Sequence, residues 1–329
     1  MNPTDKTEIG HTGLMVTRLG LGGAPLAGLF TSVPPEQATA TIERHLSKGM
    51  NFCDTAPMYA CGLSEIRLGK VLSQQDRNTF VLATKVGRLL EPDSTRESVG
   101  NWSEDMPPMK WVYNFGYDAT MRCLEESLKR LNLDRIDILH IHDPDDHYDE
   151  AMNGAYRAVI KLRSEGVIKA VGAGMNQAEM LARFAREGDF DCFLLAGRYT
   201  LIDQTGLKEL LPLCVEKKIS IIVGGPYNSG ILATGAVEGA TFNYLPASPE
   251  ILDKVRRVQA ICQRYGVPLK AAALQFPLAH PAIAALIPGG RSPDEVDENV
   301  RLMSHPIPSD FWRDLRAAKL IPDEAPVPE

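Results

Sequence analysis

The chain predicts an α/β fold of the closed (β/α)8 type, with an N-terminal β-hairpin and a long insertion after the third strand. Three observations carry that expectation. Eight short apolar runs recur along the 329 residues, and such runs read as parallel strands buried on both faces. Amphipathic segments alternate with them, the pattern that places a helix after each strand. No linker or low-complexity tract divides the sequence, so residues 1–329 read as one domain, within the length that a TIM-type barrel with insertions reaches.

The eight runs are RLGLGG (18–23), FCDTA (52–56), FVLATKV (80–86), IDILHIH (136–142), VIKAVGAG (167–174), CFLLAG (192–197), SIIVGG (220–225) and IAALIPGG (283–290). Between them, PEQATATIERHLSKG (35–49) opens on Pro and closes on Gly, a helix start and stop. YDATMRCLEESLKRLNL (117–133) sets Met121, Leu124, Leu128 and Leu131 on one helical face. Residues 149–165, 177–187, 206–217 and 248–265 read as further helices. The competing architecture, an open doubly wound sheet, carries G-x-G-x-x-G after its first strand, and GLGGAP (20–25) lacks that spacing. Before the first run, EIGHTGLMV gives two extended pieces around His11-Thr12-Gly13, a hairpin across the barrel floor. Residues 87–116 form the insertion, and the Pro-rich tail IPDEAPVPE predicts a loose end.

Composition narrows the partners. The formal charge of −7 disfavours nucleic acid or an anionic membrane surface. No run of about 20 apolar residues is present, which predicts no membrane span, and MNPTDKTEIG has no apolar core of a secretory signal. The six cysteines form no C-x-x-C pair and no metal-ligand spacing, and read as packed thiols of a cytoplasmic protein. The expected partner is a small-molecule substrate, and a homo-oligomer is compatible with the sequence.

Barrel chemistry belongs at the C-terminal strand ends. Those ends supply Asp54 and Tyr59 after the second strand, Lys85 on the third and His142 on the fourth. Singly, each has a plain reading: a helix cap, loop packing, an odd buried lysine, one of two adjacent histidines. Together they fit one task. A phenol of pKa about 10 needs a neighbouring cation to serve as an acid–base group near neutrality. Lys85 supplies the cation, Asp54 holds it, and His142 hydrogen-bonds at the substrate oxygen.

NFCDTAPMYACGLSEIRLGKVL (51–72), LATKVG (82–87), LDRIDILHIHDP (133–144) and IPGGRSPDEVDENV (287–300) resemble the aldo-keto reductase family along nearly the whole chain. The resemblance implies Asp54, Tyr59, Lys85 and His142 as a catalytic tetrad, with direct hydride transfer to or from a nicotinamide. It implies Asn176 at the carboxamide, the segment containing Tyr227, Ser229, Gly230 and Leu232 over the pyrophosphate, and Pro288, Gly289, Gly290, Arg291, Ser292, Glu295, Glu298 and Asn299 around the adenosine. The chain departs from the family pattern at Ala196, where a Gln is usual, and at Gly224 or Gly225, where an aromatic stacks. Gly289 and Glu295 stand where NADP-using members carry basic residues, and a carboxylate there repels a 2′-phosphate and implies NAD. Within the family, the chain resembles members that oxidise a cyclic hemiacetal to a lactone. The expected substrate is pyridoxal, going to 4-pyridoxolactone as in vitamin B6 degradation, with an aldose such as L-fucose as the alternative. Trp102, Trp111 and Tyr113 of the insertion are the expected pocket aromatics. Two other classes predict different behaviour: a non-catalytic dinucleotide-binding barrel would make no NADH, and a lyase with Lys85 as Schiff base would need no NAD.

Overall fold

A computed structural model describes residues 1–93, 102 and 105–328; residues 94–101, 103 and 104 of the insertion lie outside the described residues. The described chain begins with β1 (Lys6–Ile9) and β2 (Leu14–Thr17), paired antiparallel as a hairpin. There follow β3 (Leu21–Gly22), α1 (Pro35–Ser47), β4 (Phe52–Asp54), α2 (Leu63–Leu72) and β5 (Val81–Val86). The insertion contributes a second antiparallel hairpin, β6 (Arg88–Pro92) and β7 (Met109–Tyr113). Next come α3 (Tyr117–Leu131), β8 (Ile138–His142), α4 (Tyr148–Asn153), α5 (Ala155–Ser164), β9 (Ala170–Met175), α6 (Ala178–Glu187), β10 (Cys192–Ala196), α7 (Leu210–Lys217) and β11 (Ser220–Gly224). The chain ends with α8 (Ile231–Thr234), β12 (Thr241–Phe242), β13 (Leu245–Pro246), α9 (Pro249–Tyr265), α10 (Leu269–Leu278), β14 (Ile283–Ile287), α11 (Pro293–Met303) and α12 (Ser309–Ala317).

The eight-stranded sheet runs β14-β11-β10-β9-β8-β5-β4-β3, parallel throughout. Parallel bridges Leu19↔Leu286 and Gly22↔Gly289 join its two edges, so the sheet closes into a barrel and the open-sheet alternative is set aside. Gly22 permits this closure, and Gly23 permits the close approach of β4 and α2. A Cβ on Gly22 would stand 2.8 Å from the Ile287 carbonyl oxygen, and one on Gly23 would stand 2.6 Å from Ser64 Oγ. Pro288 takes part too, its carbonyl accepting the Gly22 N–H at 3.0 Å.

Strand alternation then sorts every side chain. Phe52, Val81, Ala83, Ile138, Ala170, Cys192, Leu194 and Ile222 form the barrel interior, and Ile9 and Val16 of the first hairpin plug its floor. The intervening residues face outward and join the helices in a larger core. Residues of the interior parity nearest the C-terminal ends are Asp54, Lys85, His142, Ala196 and Gly224, and these surround the mouth.

Three expectations need correction. The helix read over 149–165 is two helices broken at Gly154, where a Cβ would meet the Phe115 carbonyl oxygen at 2.3 Å as the insertion returns. The segment 206–217 is a short 3-10 turn, Thr205–Leu207, and then an α-helix only from Leu210, with Pro212 tolerated in the first turn. The tail is not loose: Leu320, Ile321 and Ala325 are buried, and Arg316 donates to the Ala325 carbonyl at 2.6 Å. Its apolar side chains found a core face that composition could not reveal.

Candidate active site

The four residues expected to act together meet at the barrel mouth. β4 ends on Asp54 and β5 carries Lys85, whose Nζ donates to Asp54 Oδ2 at 2.7 Å and to the Thr55 carbonyl at 2.7 Å. Both are almost fully buried. Burial alone disfavours the ammonium, but the Asp54 charge and then Tyr59 outweigh it, so Lys85 is held above its ordinary pKa and stays charged. Tyr59 lies in the turn after β4, with Lys85 Nζ 4.7 Å from its ring centroid. Burial pushes the phenol up to about 12, with Lys85 as the largest opposing influence.

The two histidines of LHIHDP separate cleanly. His140 lies inside the barrel, accommodated because position 172 is glycine; a Cβ there would fall 2.1 Å from His140 Nδ1. Burial drives its pKa down to about 3. His142, two residues further up the same face, meets the Tyr59 ring edge-on at a centroid distance of 6.1 Å. Burial first, then the charges of Arg88 and Lys85, hold its imidazole well below the ordinary value and therefore neutral. Its Nδ1 is buried without a partner among the described residues, and its Nε2 lies 3.5 Å from Asp143 Oδ2.

A cleft of about 340 Å³ leads away from Asp54 and Tyr59, over Ala196 and Gly224, to Arg291, Glu295, Glu298 and Asn299 at the start of α11. Tyr227, Ser229, Gly230 and Gly289 line it as well. Arg291 is engaged by Glu295, with Nη2–Oε1 at 2.9 Å, and Glu298 by Lys270 at 2.7 Å. The Tyr227 hydroxyl donates to Asn299 Oδ1 at 2.6 Å.

Five further residues expected at the cofactor make other contacts in this structure. Leu232 is fully buried in the outer core and its N–H is bonded to the Tyr227 carbonyl. Pro288 serves barrel closure, and Gly290 packs behind the wall, where a Cβ would touch Leu21 and Val296. Ser292 caps α11, accepting the Glu295 N–H at 3.2 Å. Asn176, half-buried after β9, donates to the Ala196 carbonyl at 2.8 Å.

The insertion aromatics divide. Trp102 lies 5.8 Å from Tyr59 between ring centroids, and Trp102 and Trp111 pack in one apolar cluster with Tyr59 and Leu90. Tyr113 is turned outward and stacks on Phe115. Sequence reasoning missed Arg88 and Asp143. Arg88 lies over Trp111 at 4.5 Å and Tyr113 at 4.8 Å, and pairs with Asp143 beside His142. It also missed Asn228 in the cleft wall, and Phe30 and Tyr244, whose rings stack at 6.3 Å at the rim. Adjacency was the available signal: Asp143 follows His142 directly, and Arg88 follows the Lys85 strand by one glycine. Among the described residues, no cluster of three His, Cys, Asp or Glu side chains could hold a metal, and no helix is long and apolar enough to cross a membrane.

A Tyr beside a buried Lys–Asp pair, set in a barrel mouth that opens into a long cleft, is an arrangement suited to proton transfer at a bound small molecule. A model of the aldo/keto reductase family matches residues 18–319, and the chain belongs to that family. It is 38% identical to pyridoxal 4-dehydrogenase of Microbacterium luteolum, over 98% of this chain and 99% of the relative. It is also 38% identical to D-threo-aldose 1-dehydrogenase of a Pseudomonas species, over 94% of this chain and 96% of the relative. Among solved structures, the holo form of aldo-keto reductase AKR11C1 from Bacillus halodurans is similar at a TM-score of 0.75 and 25% identity, covering 99% of this chain and 98% of that one.

Proposed function

We propose that the protein is an NAD-dependent dehydrogenase that oxidises a cyclic hemiacetal to its lactone, with pyridoxal as substrate. The observation that carries the reaction is the buried Lys85–Asp54 pair beneath Tyr59 at the inner end of the cleft. A cleft that leaves Asn228 Oδ1 buried without a partner among the described residues and ends in Glu295 and Glu298 fits a dinucleotide with a free ribose hydroxyl.

A bound nicotinamide supplies the acceptor for the hydride that leaves the hemiacetal carbon. The residues of the chain handle the proton. Tyr59 as phenolate takes it from the hydroxyl, while Lys85 holds the phenolate down in energy and Asp54 keeps Lys85 charged and in place. Neutral His142 donates a hydrogen bond to the same oxygen and fixes its angle towards Tyr59. Trp102 and Trp111 exclude water from that side.

The name of the Microbacterium relative supports pyridoxal, and Trp102 beside Tyr59 offers a face for a pyridine ring. A second reading, an aldose 1-dehydrogenase, is supported by the equally similar Pseudomonas relative and by Arg88 and Asp143, a cation–carboxylate pair suited to vicinal hydroxyls. The test is NADH formation, followed at 340 nm, with pyridoxal, L-fucose, L-galactose and D-arabinose under NAD or NADP. The proposal expects the highest kcat/KM with pyridoxal and NAD. A higher value for any sugar sinks the pyridoxal assignment, and no turnover with any substrate sinks the dehydrogenase reading.

A further inference from the structure

Two side chains of the cleft wall keep a buried oxygen without a hydrogen-bond partner among the described residues: Asp54, whose other oxygen holds Lys85, and Asn228. Asn228 is 3% exposed. Its Nδ2 donates to the Gly197 carbonyl at 3.1 Å. A carbonyl can only accept, so the amide orientation is settled and Oδ1 is left as an acceptor. The backbone at Asn228 is left-handed, φ 45°, a conformation that Asn tolerates better than most residues. Its N–H is bonded to the Gly225 carbonyl at 2.9 Å, so the side chain is held from both ends.

A buried acceptor left unpaired is costly, and its natural complement is a ligand donor. Phosphate oxygens do not fit, since they would meet Oδ1 as two acceptors. The surrounding strand ends are bare: Ala196 and Gly224, adjacent in register, both line the cleft and leave a flat surface beside Leu194. A nicotinamide ring must lie at this mouth for its reactive carbon to face the substrate carbon held by Tyr59. The donor such a ring carries is the NH2 of its carboxamide. We infer that Asn228 Oδ1 accepts a hydrogen bond from that carboxamide NH2 and so selects the orientation of the ring over Ala196 and Gly224. This rests on the NAD-dependent reading above.

The test is binding rather than turnover. Dissociation constants are measured calorimetrically for NAD, for its 3-acetylpyridine analogue, in which a methyl replaces the carboxamide NH2, and for ADP-ribose, which lacks the ring. The native chain is compared with Asn228→Gly, in which glycine takes the positive φ without strain. The native chain is expected to prefer NAD over the analogue about tenfold, a difference of about 1.4 kcal/mol. Asn228→Gly should bind the two alike while keeping its ADP-ribose affinity. A preference that survives the substitution overturns the inference, and so does a loss of ADP-ribose affinity as large as that of NAD. The 2′-phosphorylated pair is measured alongside. Tight NADP and weak NAD would defeat the NAD reading, while the carboxamide contact is judged separately by the analogue ratio in whichever series binds.

Discussion

Replacing Lys85 with Met and Asp54 with Asn together removes the cation beneath Tyr59 without stranding a buried carboxylate. Lys85 Nζ lies 4.7 Å from the Tyr59 ring centroid, and at an effective dielectric of about 20 a unit charge there favours the phenolate by about 3.5 kcal/mol. The phenol is already pushed up to about 12, so loss of that help moves it out of the working range. Activity that needs phenolate rises with pH towards the phenol pKa, and removing Lys85 shifts that rise further up. The assay is kcat/KM for NADH formation between pH 6 and 11. The double variant is expected to lose about 100-fold or more at pH 8, with its rise displaced by about two pH units. A loss below tenfold with an undisplaced profile would show that the Lys85 charge does not govern the phenol. Lys85→Met alone would leave the Asp54 carboxylate buried and unpaired, at a cost of about 3–5 kcal/mol. Its Tm should therefore fall below that of the double variant.

Glu295→Gln frees Arg291 from its 2.9 Å partner, so NADP affinity should rise about tenfold by titration while NAD changes little; unchanged NADP affinity would count against the ribose-end reading. Arg88→Met leaves Asp143 beside His142 with no cation to share. His142 should then gain a proton more easily and kcat should acquire an acidic limb that Asp143→Asn in the same chain removes; a flat profile would refute this. His45 is buried and neutral, its pKa depressed from 6.5 to about 4 by burial, with Nε2 at 3.1 Å from the Phe52 carbonyl. The unfolded chain therefore binds the extra proton. Stability from His45 is complete above pH 6.5 and is lost as pH falls towards 4, about 2 kcal/mol between pH 7 and 5. Urea unfolding at the two pH values should show a smaller loss for His45→Gln than for the native chain.

Much of the architecture was legible because period-two burial and helix punctuation are local. The eight apolar runs fall on the eight barrel strands, and Asp54, Lys85 and His142 share the interior parity of Phe52, Val81 and Ile138. That parity is countable in the sequence, and it places three of the four mouth residues. The break at Gly154 was not legible, because its cause is the Phe115 carbonyl from another element. The packed tail was hidden for the same reason: burial of Leu320 and Ile321 depends on the surface they find.

By itself the sequence determined the strand count, the hairpin and insertion, and the residue types gathered at the mouth. Only the tertiary structure decided which of two neighbouring histidines faces Tyr59 and which side chains of the 287–300 segment wall the cleft. It alone showed that Arg88 pairs with Asp143 and that Asn228 keeps a buried oxygen without a partner among the described residues. These depend on contacts between residues far apart in the chain, with separations of 31, 55 and 31 positions in Lys85–Asp54, Arg88–Asp143 and Asn228–Gly197. Periodicity fixes which face a side chain takes, but hydrogen-bond partners are chosen only when barrel closure brings distant strand ends together.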